Sequence, residues 1–284
     1  MKYFPRVRSK NHSLDSLRRA NKGLPALPVK SIVRFGSVTE TSKVFKKASS
    51  VPIVEINTVD AVRNSSSKIK MKEAFDRAKI SHAKWYKKLM SGGLVDNSGE
   101  FIEFSSIKYP IIAKKVYGSR GKGMLFIDSE ESFKKALDSI KGSLYMFEEY
   151  KNYVREYRLH CTLDGCFYAC RKMLKEGAED RWYRNDSNCV WYVESNPKFD
   201  KPSNWEDIIK DCVKALKEVS LDFGAFDVRV QSSMNSEGRK RKVCEFAIIE
   251  VNSAPSFGEI TERKYKEILP ALILKKSKEY ATNK

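Results

Sequence analysis

Two apolar segments in the second half of the chain carry oxygen-bearing side chains that a β-sheet would bring together. Glu250 and Asn252 lie two residues apart in the run AIIEVNSAPSFGE, and Asp227 lies upstream in AFDVRV. Residues two apart on a strand point to the same face, so these side chains can sit side by side if the two strands pair. Hard oxygen donors without His or Cys suit Mg²⁺ carrying nucleotide phosphates better than zinc. Taken alone, the three residues also fit an ordinary strand end with solvated carboxylates.

A glycine-rich hairpin lies earlier in the chain, in YPIIAKKVYGSRGKGMLFID. An apolar strand over residues 109–113 ends in Lys114 and Lys115, and a loop over residues 118–123 leads to a second apolar strand over residues 124–127. Glycines accept positive φ and carry no Cβ, so the amides of such a loop can approach phosphates, and a lysine adds a point charge. The segment matches neither GxxxxGK[ST] nor GxGxxG, and on its own it is also typical of a plain turn.

Five segments in this order resemble the ATP-grasp family, in particular its RimK-like glutamate ligases and D-alanine ligases. They are the lysine in SSSKIKMKEAF, the strand lysine before the glycine-rich loop, the acidic hinge FEEYKNYVREYR, the strand aspartate in FGAFDVRV, and EVNSAPSFGE. The resemblance runs from about Asn57 to about Glu267. It implies an α/β (α+β) ATP-grasp fold, in which a small N-terminal α/β unit precedes two α+β subdomains that clamp ATP between antiparallel sheets.

Four parts are expected along the chain of 284 residues, which is long enough for a substantial core. Residues 1–28 form a basic, proline-punctuated arm that can be disordered, and residues 29–104 form the N-terminal α/β and linker-helix region. Residues 105–150 form the small ATP-grasp subdomain with the glycine-rich loop. Residues 151–284 form the C-terminal subdomain with the Mg²⁺ site.

The resemblance also implies a nucleotide site between the hinge and the loop. Lys68 and Lys114 would contact the ATP phosphates, and Glu156 would take the ribose hydroxyls. The lid over the phosphates would include Ser119, Gly121 and Gly123, and the adenine edge would meet Glu148, Glu149 and Tyr150.

A metal site and a catalytic set follow from the same resemblance. Arg158 and Arg171, on the consecutive predicted strands YRLHCTL and CFYACRKM, would lie with Lys114 near the transferred phosphate and the acyl phosphate. The ligands of Mg²⁺, with Mn²⁺ as an alternative, would be Asp227, Glu250 and Asn252.

Acceptor contacts are expected from the loop RWYRNDSNCVWYV and from the turn after the last strand. Two positions depart from the family pattern: Lys115 stands where many members have proline, and Phe257 stands where glycine is common. The aromatic residues of the loop either pack or contact substrate, whereas His160, on a strand, is expected to be an ordinary packed imidazole. The predicted substrate residues are Arg181, Arg184, Asn185 and Ser256.

The charge of the chain is its one unusual compositional feature. Its 54 lysines and arginines against 36 acids give a formal net charge of +18. Such a surface attracts polyanions, so an acidic protein or a nucleic acid is an expected partner. The alternative is a generally basic surface that has no dedicated partner.

The absence of an apolar run long enough to span a membrane, and of a secretion signal, predicts a cytoplasmic protein. Small ATP-grasp proteins of this layout also resemble those of bacteriophages, which would place the protein in a host cytoplasm. The oligomeric state stays open.

The implied chemistry is ATP- and Mg²⁺-dependent ligation of a carboxylate to an amine, or to a thiol, through an acyl phosphate. Such catalysis needs positioning and neutralisation of charge, which explains the absence of a Ser-His-Asp or Cys-His set. The acceptor would be a peptide, a protein or another acidic molecule. Two alternatives remain: a nucleotide-dependent module that binds nucleic acid or protein without ligation, and a ligase that acts on a nucleic-acid base.

Overall fold

The computed structural model describes residues 4–7, 30–44, 53–118, 121–140, 142–179, 181–256 and 258–282. Within them the chain is a mixed α+β protein with three sheets. None of the described helices is long and apolar enough to cross a membrane.

The N-terminal sheet is parallel, with strand order β1-β2-β3. Its strands are β1 (Phe4–Val7), β2 (Lys30–Phe35) and β3 (Ile53–Ile56), and the short helix α1 (Thr41–Val44) lies between β2 and β3. Strand β1 falls within the predicted basic arm and pairs with β2, so this part of the arm belongs to the fold. The rest of the arm lies outside the described residues.

Two consecutive helices lead from this unit to the next sheet. Helix α2 spans Val59–Ser66, and helix α3 spans Lys68–Arg77. The Ser67 side chain accepts a hydrogen bond from the Lys70 amide, which satisfies one of the free donors at the start of α3. Met71 and Phe75 on α3 are buried in the core of the large sheet.

The small sheet is antiparallel, with strand order β5-β4-β8-β6-β7. Helix α4 (Glu130–Ser139) covers it through Phe133. Strands β4 and β5 lie before residue 105, so the predicted boundary of this subdomain was wrong, because the pairing of β4 with β8 is not local in sequence. The strands are β4 (Trp85–Lys88), β5 (Leu94–Val95), β6 (Ile111–Lys115), β7 (Leu125–Ile127) and β8 (Tyr145–Glu149).

The large sheet is antiparallel, with strand order β11-β10-β9-β12-β13. Helix α5 (Trp205–Glu218) buries its apolar side, including Trp205, against one face of this sheet. The C-terminal helix α6 (Glu259–Thr282) packs with the N-terminal sheet. The strands are β9 (Arg155–Thr162), β10 (Gly165–Leu174), β11 (Cys189–Val193), β12 (Phe223–Val230) and β13 (Phe246–Asn252), and short 3₁₀ turns occur at Phe104–Ser106 and Pro197–Phe199.

Candidate functional site

A cavity of about 980 Å³ lies between the small and the large sheets, with α3 at its side. The structure brings to this cavity most of the residues that the sequence pointed to. They are Lys68, Lys114, Gly121, Glu148, Glu149, Tyr150, Glu156, Arg158, Arg184, Asn185, Asp227, Glu250, Asn252 and Ser256.

On the small-sheet side, one buried carboxylate holds two lysines. Glu148 on β8 bonds the Lys114 ammonium of β6 through Oε1. Its Oε2 lies 3.2 Å from Nζ of Lys72, a residue of α3 that is 1% exposed. Burial alone would raise the pKa of Glu148, but the charges of Lys114 and Lys72 outweigh it and lower the pKa to about 2. The carboxylate is therefore ionised, and two cations share it.

On the large-sheet side, the two-residue period of the strands places a set of charges on one face. Arg158 of β9 lies opposite Asp227 of β12, and its Nε and Nη2 donate to the two Asp227 oxygens at 2.8 and 2.9 Å. Lys172 of β10 lies 2.8 Å from Asp227 Oδ2. Burial would raise the pKa of Asp227, but Arg158 and Lys172 hold it well below its usual range.

Glu156, two residues before Arg158, is the other carboxylate of this face. Its Oε1 accepts a hydrogen bond from Lys172 Nζ at 3.0 Å, and its Oε2 accepts one from Arg229 Nε at 3.1 Å. Arg184 Nη1 lies 3.5 Å from the same Oε2. Burial would raise the pKa of Glu156, but Lys172 and Arg229 lower it below its usual value. Glu156 therefore lies within the cavity, as expected for a ribose contact, and is itself surrounded by cations.

The predicted metal ligands adjoin one another on β12 and β13. Asp227 and Glu250 are register partners, and Asn252 Nδ2 donates to Glu250 Oε1 at 3.1 Å. Glu250 Oε2 lies 3.5 Å from Lys68 Nζ. The described residues contain no cluster of three His, Cys, Asp or Glu side chains close enough to hold a metal. Glu250 and Asn252 present the hard oxygens that Mg²⁺ prefers and fit such an ion, whereas both oxygens of Asp227 face Arg158 and Lys172.

The described part of the glycine-rich turn is connected to the rest of the site through Lys68, whose Nζ donates to the Gly118 carbonyl at 2.9 Å. Gly121 and Gly123 have φ of 71° and 72°, which side-chain-bearing residues rarely adopt. Gly123 does not line the cavity. A Cβ on it would lie 2.8 Å from Lys115 Cε, so it allows the Lys115 side chain to pack across the turn. Ser119 lies outside the described residues, and so does Phe257.

Aromatic side chains cover two parts of the cavity. Phe126 of β7 contacts both Tyr150 and Trp182, with ring centroids 5.4 and 5.7 Å apart. These contacts connect β7, the strand after the glycine-rich loop, to the hinge through Tyr150 and to the loop before β11 through Trp182. Trp191 of β11 lies against Arg158 and Lys172, with cation-to-centroid distances of 5.1 and 5.3 Å. Trp182 and Trp191 both line the cavity.

The structure does not bring Arg171 into the site, so its predicted catalytic position was wrong. Arg171 lies on the other face of β10, where Nη1 donates to the Lys198 carbonyl at 2.9 Å. Lys172, one residue later, occupies the cavity face, because neighbouring residues on a strand point to opposite faces. Arg181, a predicted substrate residue, is exposed and does not line the cavity.

Three buried cationic residues of the cavity were absent from the predicted site residues: Lys72, Lys172 and Arg229. Lys72 lies one helical turn after Lys68, a spacing that places both on one side of a helix. Arg229 lies two residues after Asp227, so strand alternation places both on one face. His160 is buried with Nδ1 3.1 Å from the Tyr265 hydroxyl, and burial lowers its pKa to about 3, which confirms a packed, neutral imidazole.

Comparison with known proteins finds relatives at the level of structure. No protein-family model and no curated protein sequence matches the chain. The D-alanine–D-alanine ligase from Bacillus anthracis superposes with a TM-score of 0.63 at 13% identity, covering 99% of this chain and 97% of that one. The same enzyme complexed with ATP gives 0.61 at 12%, covering 96% and 93% of the two chains.

A second structural neighbour is named as a ligase and was solved together with a precursor. The ATP-grasp ligase PsnB complexed with minimal precursor gives a TM-score of 0.59 at 10% identity, covering 97% of this chain and 99% of that one. These similarities confirm the expected fold: the chain has the ATP-grasp architecture, with mixed α+β content and antiparallel sheets around the cavity.

Proposed function

We propose that the chain is an ATP-dependent ligase that joins a carboxylate to an amine through an acyl phosphate. The observation that carries this proposal is the cavity between the two antiparallel sheets, which Lys114, Arg158 and Glu250 all line. The ATP-grasp fold supports it, since the structural neighbours described above are named as ligases, and one of them was solved with ATP.

Nucleotide binding is assigned to the small-sheet side of the cavity. The hinge backbone at Glu149 and Tyr150 would receive the base, and Glu156 the ribose. Lys114 and Lys68 would contact phosphates, because both residues line the cavity. Gly121 would let the turn backbone approach the phosphates closely. Ser119 is assigned to the same lid.

The reaction needs a carboxylate oxygen to attack the γ-phosphorus of ATP, which breaks the bond to ADP and gives an acyl phosphate. The amine then attacks the acyl carbon and loses a proton, and inorganic phosphate leaves. Arg158 and Lys172 face the cavity from the large sheet and would neutralise the charge that develops on the transferred phosphoryl group. Glu250 and Asn252 would hold Mg²⁺, which would neutralise negative charge on the phosphates. Asp227 stays the third predicted ligand, beside Arg158 and Lys172, which face both of its oxygens.

The acceptor is assigned to the mouth of the cavity formed by the loop before β11 and by the turn after β13. Arg184 and Asn185 line one side and Ser256 the other. A basic mouth suits an anionic acceptor, and we propose a peptide or protein to which an amino acid or amine is added, as in RimK-like ligases. The net charge of +18 also favours a second candidate, a ligase that acts on a nucleic-acid base.

The test is phosphate release from ATP with amino acids, acidic peptides and nucleic acids offered as substrates. Mass spectrometry of the acceptor should show a gain equal to one condensed amino acid or amine. The matched control is Glu250→Gln, which removes one charge from the proposed metal site and should abolish turnover with the fold retained. Nucleic-acid binding by the wild type with neither phosphate release nor a mass gain would favour a binding module over a ligase.

A further inference from the structure

Lys72 has no part in the function proposed above, yet it is among the most buried charged residues of the described chain. Its Nζ lies 3.2 Å from Glu148 Oε2 and 3.4 Å from the Ile248 carbonyl of β13. It also lies 5.8 Å from the centroid of the Phe75 ring. Burying a charged ammonium group costs free energy unless the group is paired. A lysine at this buried position therefore needs an explanation beyond packing.

The two lysines of this cluster occupy different oxygens of one carboxylate. Lys114 bonds Oε1 of Glu148, and Lys72 contacts Oε2. The cluster therefore holds two positive charges against one negative charge in a buried place. One positive charge remains in excess beside a cavity that suits an anion.

A nucleotide phosphate that takes Lys114 must separate it from Glu148. Without another cation, this separation would leave a buried carboxylate unpaired, which costs several kcal/mol or forces the group to take up a proton. Because Lys72 is already on Oε2, Glu148 keeps a counter-charge while Lys114 turns to the phosphate.

We infer that Lys72 is a positioning residue that keeps Glu148 ionised and paired, so that Lys114 is released to the nucleotide. The inference rests on the proposed function, since it takes the Lys114 ammonium as a phosphate contact. It assigns to Lys72 a role that needs no direct contact with the nucleotide.

The surroundings of Glu148 agree with a carboxylate whose charge depends on the two lysines. Lys114 comes from β6 and Lys72 from α3, while Glu250 of β13 acts on Lys72 from further away. His82, in the segment after α3, also faces the cluster, but burial lowers its pKa to about 3 and keeps it neutral. Burial lowers the pKa of Lys72 from its usual value, and the Glu148 carboxylate opposes this shift.

The experiment is titration calorimetry of MgADP binding at about pH 7 in buffers of different ionisation enthalpy, which counts the protons taken up on binding. Lys72→Met should weaken MgADP binding about ten-fold or more and should add proton uptake relative to the wild type, because a buried, unpaired glutamate can reach a pKa of about 8–9. Lys72→Met with Glu148→Gln should restore the affinity and abolish the added uptake. A purely structural role, or a direct contact of Lys72 with phosphate, predicts no added uptake.

Lys68→Met is the matched control, since Lys68 lies one turn earlier on α3 and does not touch Glu148. It should weaken binding without added proton uptake. Two results would overturn the inference. One is weaker MgADP binding by Lys72→Met without added proton uptake, and the other is a double variant that binds MgADP as weakly as Lys72→Met. If Lys72→Met does not fold, the double variant decides alone: affinity close to that of the wild type supports the inference, and a ten-fold loss overturns it.

Two other results would defeat the proposed function instead. One is a wild type that binds no MgADP, and the other is a Lys114→Ala variant with unchanged MgADP affinity.

Discussion

The two walls of the cavity differ in how their groups are held. On the large sheet, Lys172 bonds both Glu156 and Asp227, and Arg158 bonds Asp227 with two donors, so ion pairs cross from β10 through β9 to β12. On the small sheet, the described part of the glycine-rich turn is connected to this site by Lys68 Nζ on the Gly118 carbonyl. We call the large-sheet wall the floor, where ion pairs preorganise the charges, and the glycine-rich turn the cover, whose described part is joined to the site through Lys68.

The largest expected effect comes from removing the cation that joins the two carboxylates of the floor. Lys172→Met leaves Glu156 and Asp227 short of a partner in a buried place, so the free energy of unfolding should fall by about 3–5 kcal/mol. Urea denaturation measures the loss, and MgADP binding should weaken with it. A smaller fall in the free energy of unfolding would mean that the floor tolerates the missing charge.

Arg171→Met is the control for this variant, because Arg171 is the sequence neighbour on the opposite face. It loses a hydrogen bond to the Lys198 carbonyl, worth about 1 kcal/mol of stability, and should keep its nucleotide affinity. A greater loss of MgADP binding in Arg171→Met than in Lys172→Met would contradict the assignment of the two faces.

Acid should remove the stability that the ionised carboxylates of both walls contribute. The pKa of Glu148 is lowered from 4.5 to about 2, so its contribution is fully present above pH 4.5 and is lost as the pH falls towards 2. The shift corresponds to a stability on the order of 3 kcal/mol. Urea denaturation across this pH range should show the fall in the wild type. In Glu148→Gln, the free energy of unfolding should decrease less over this pH range, because the contribution of Glu148 is missing. An equal decrease in the two proteins would contradict the pairing of Glu148 with Lys114 and Lys72.

A smaller effect is expected where the cover is anchored. Lys68→Met removes the bond to the Gly118 carbonyl and a cation near Glu250, so the turn should exchange its amide hydrogens faster in the free protein. MgADP affinity should fall about ten-fold, because a charge-assisted contact is worth about 1.5–3 kcal/mol. Hydrogen exchange with and without MgADP checks the first point. Unchanged protection of residues 118–124 in the variant would remove Lys68 as the anchor.

The smallest effect is expected from the backbone of the cover itself. Gly121→Ala forces a side chain into φ of 71° and should cost about 1–2 kcal/mol of stability. Gly142→Ala is the matched control, since its φ of 75° carries the same strain and a Cβ there meets no atom within 4 Å. Thermal denaturation should show similar losses for both variants. Only Gly121→Ala should slow ATP turnover, and equal slowing by both would show that the turn has no specific role.

The structural neighbours confirm the fold that the sequence predicted, and most of the predicted site residues line one cavity, although their roles stay predictions. Asp227, Glu250 and Asn252 were brought together as expected, because spacing along a strand and pairing of β12 with β13 leave little freedom. The subdomain boundary failed because β4 pairs with β8, far along the chain. Arg171 was expected at the site but lies on the other face of β10, because the face of a strand depends on its register with the neighbouring strands, which single residues do not reveal.

The sequence by itself determined which chemical groups were present and in what order: lysines before a glycine turn, an acidic hinge, and carboxylate and amide on a late strand. Local rules suffice for this, since strand alternation and glycine conformation act over a few residues. Only the tertiary structure decided which charges share a partner. Lys72, Lys114 and Glu148 come from α3, β6 and β8, and ion pairing between such distant segments depends on how the sheets pack around the cavity.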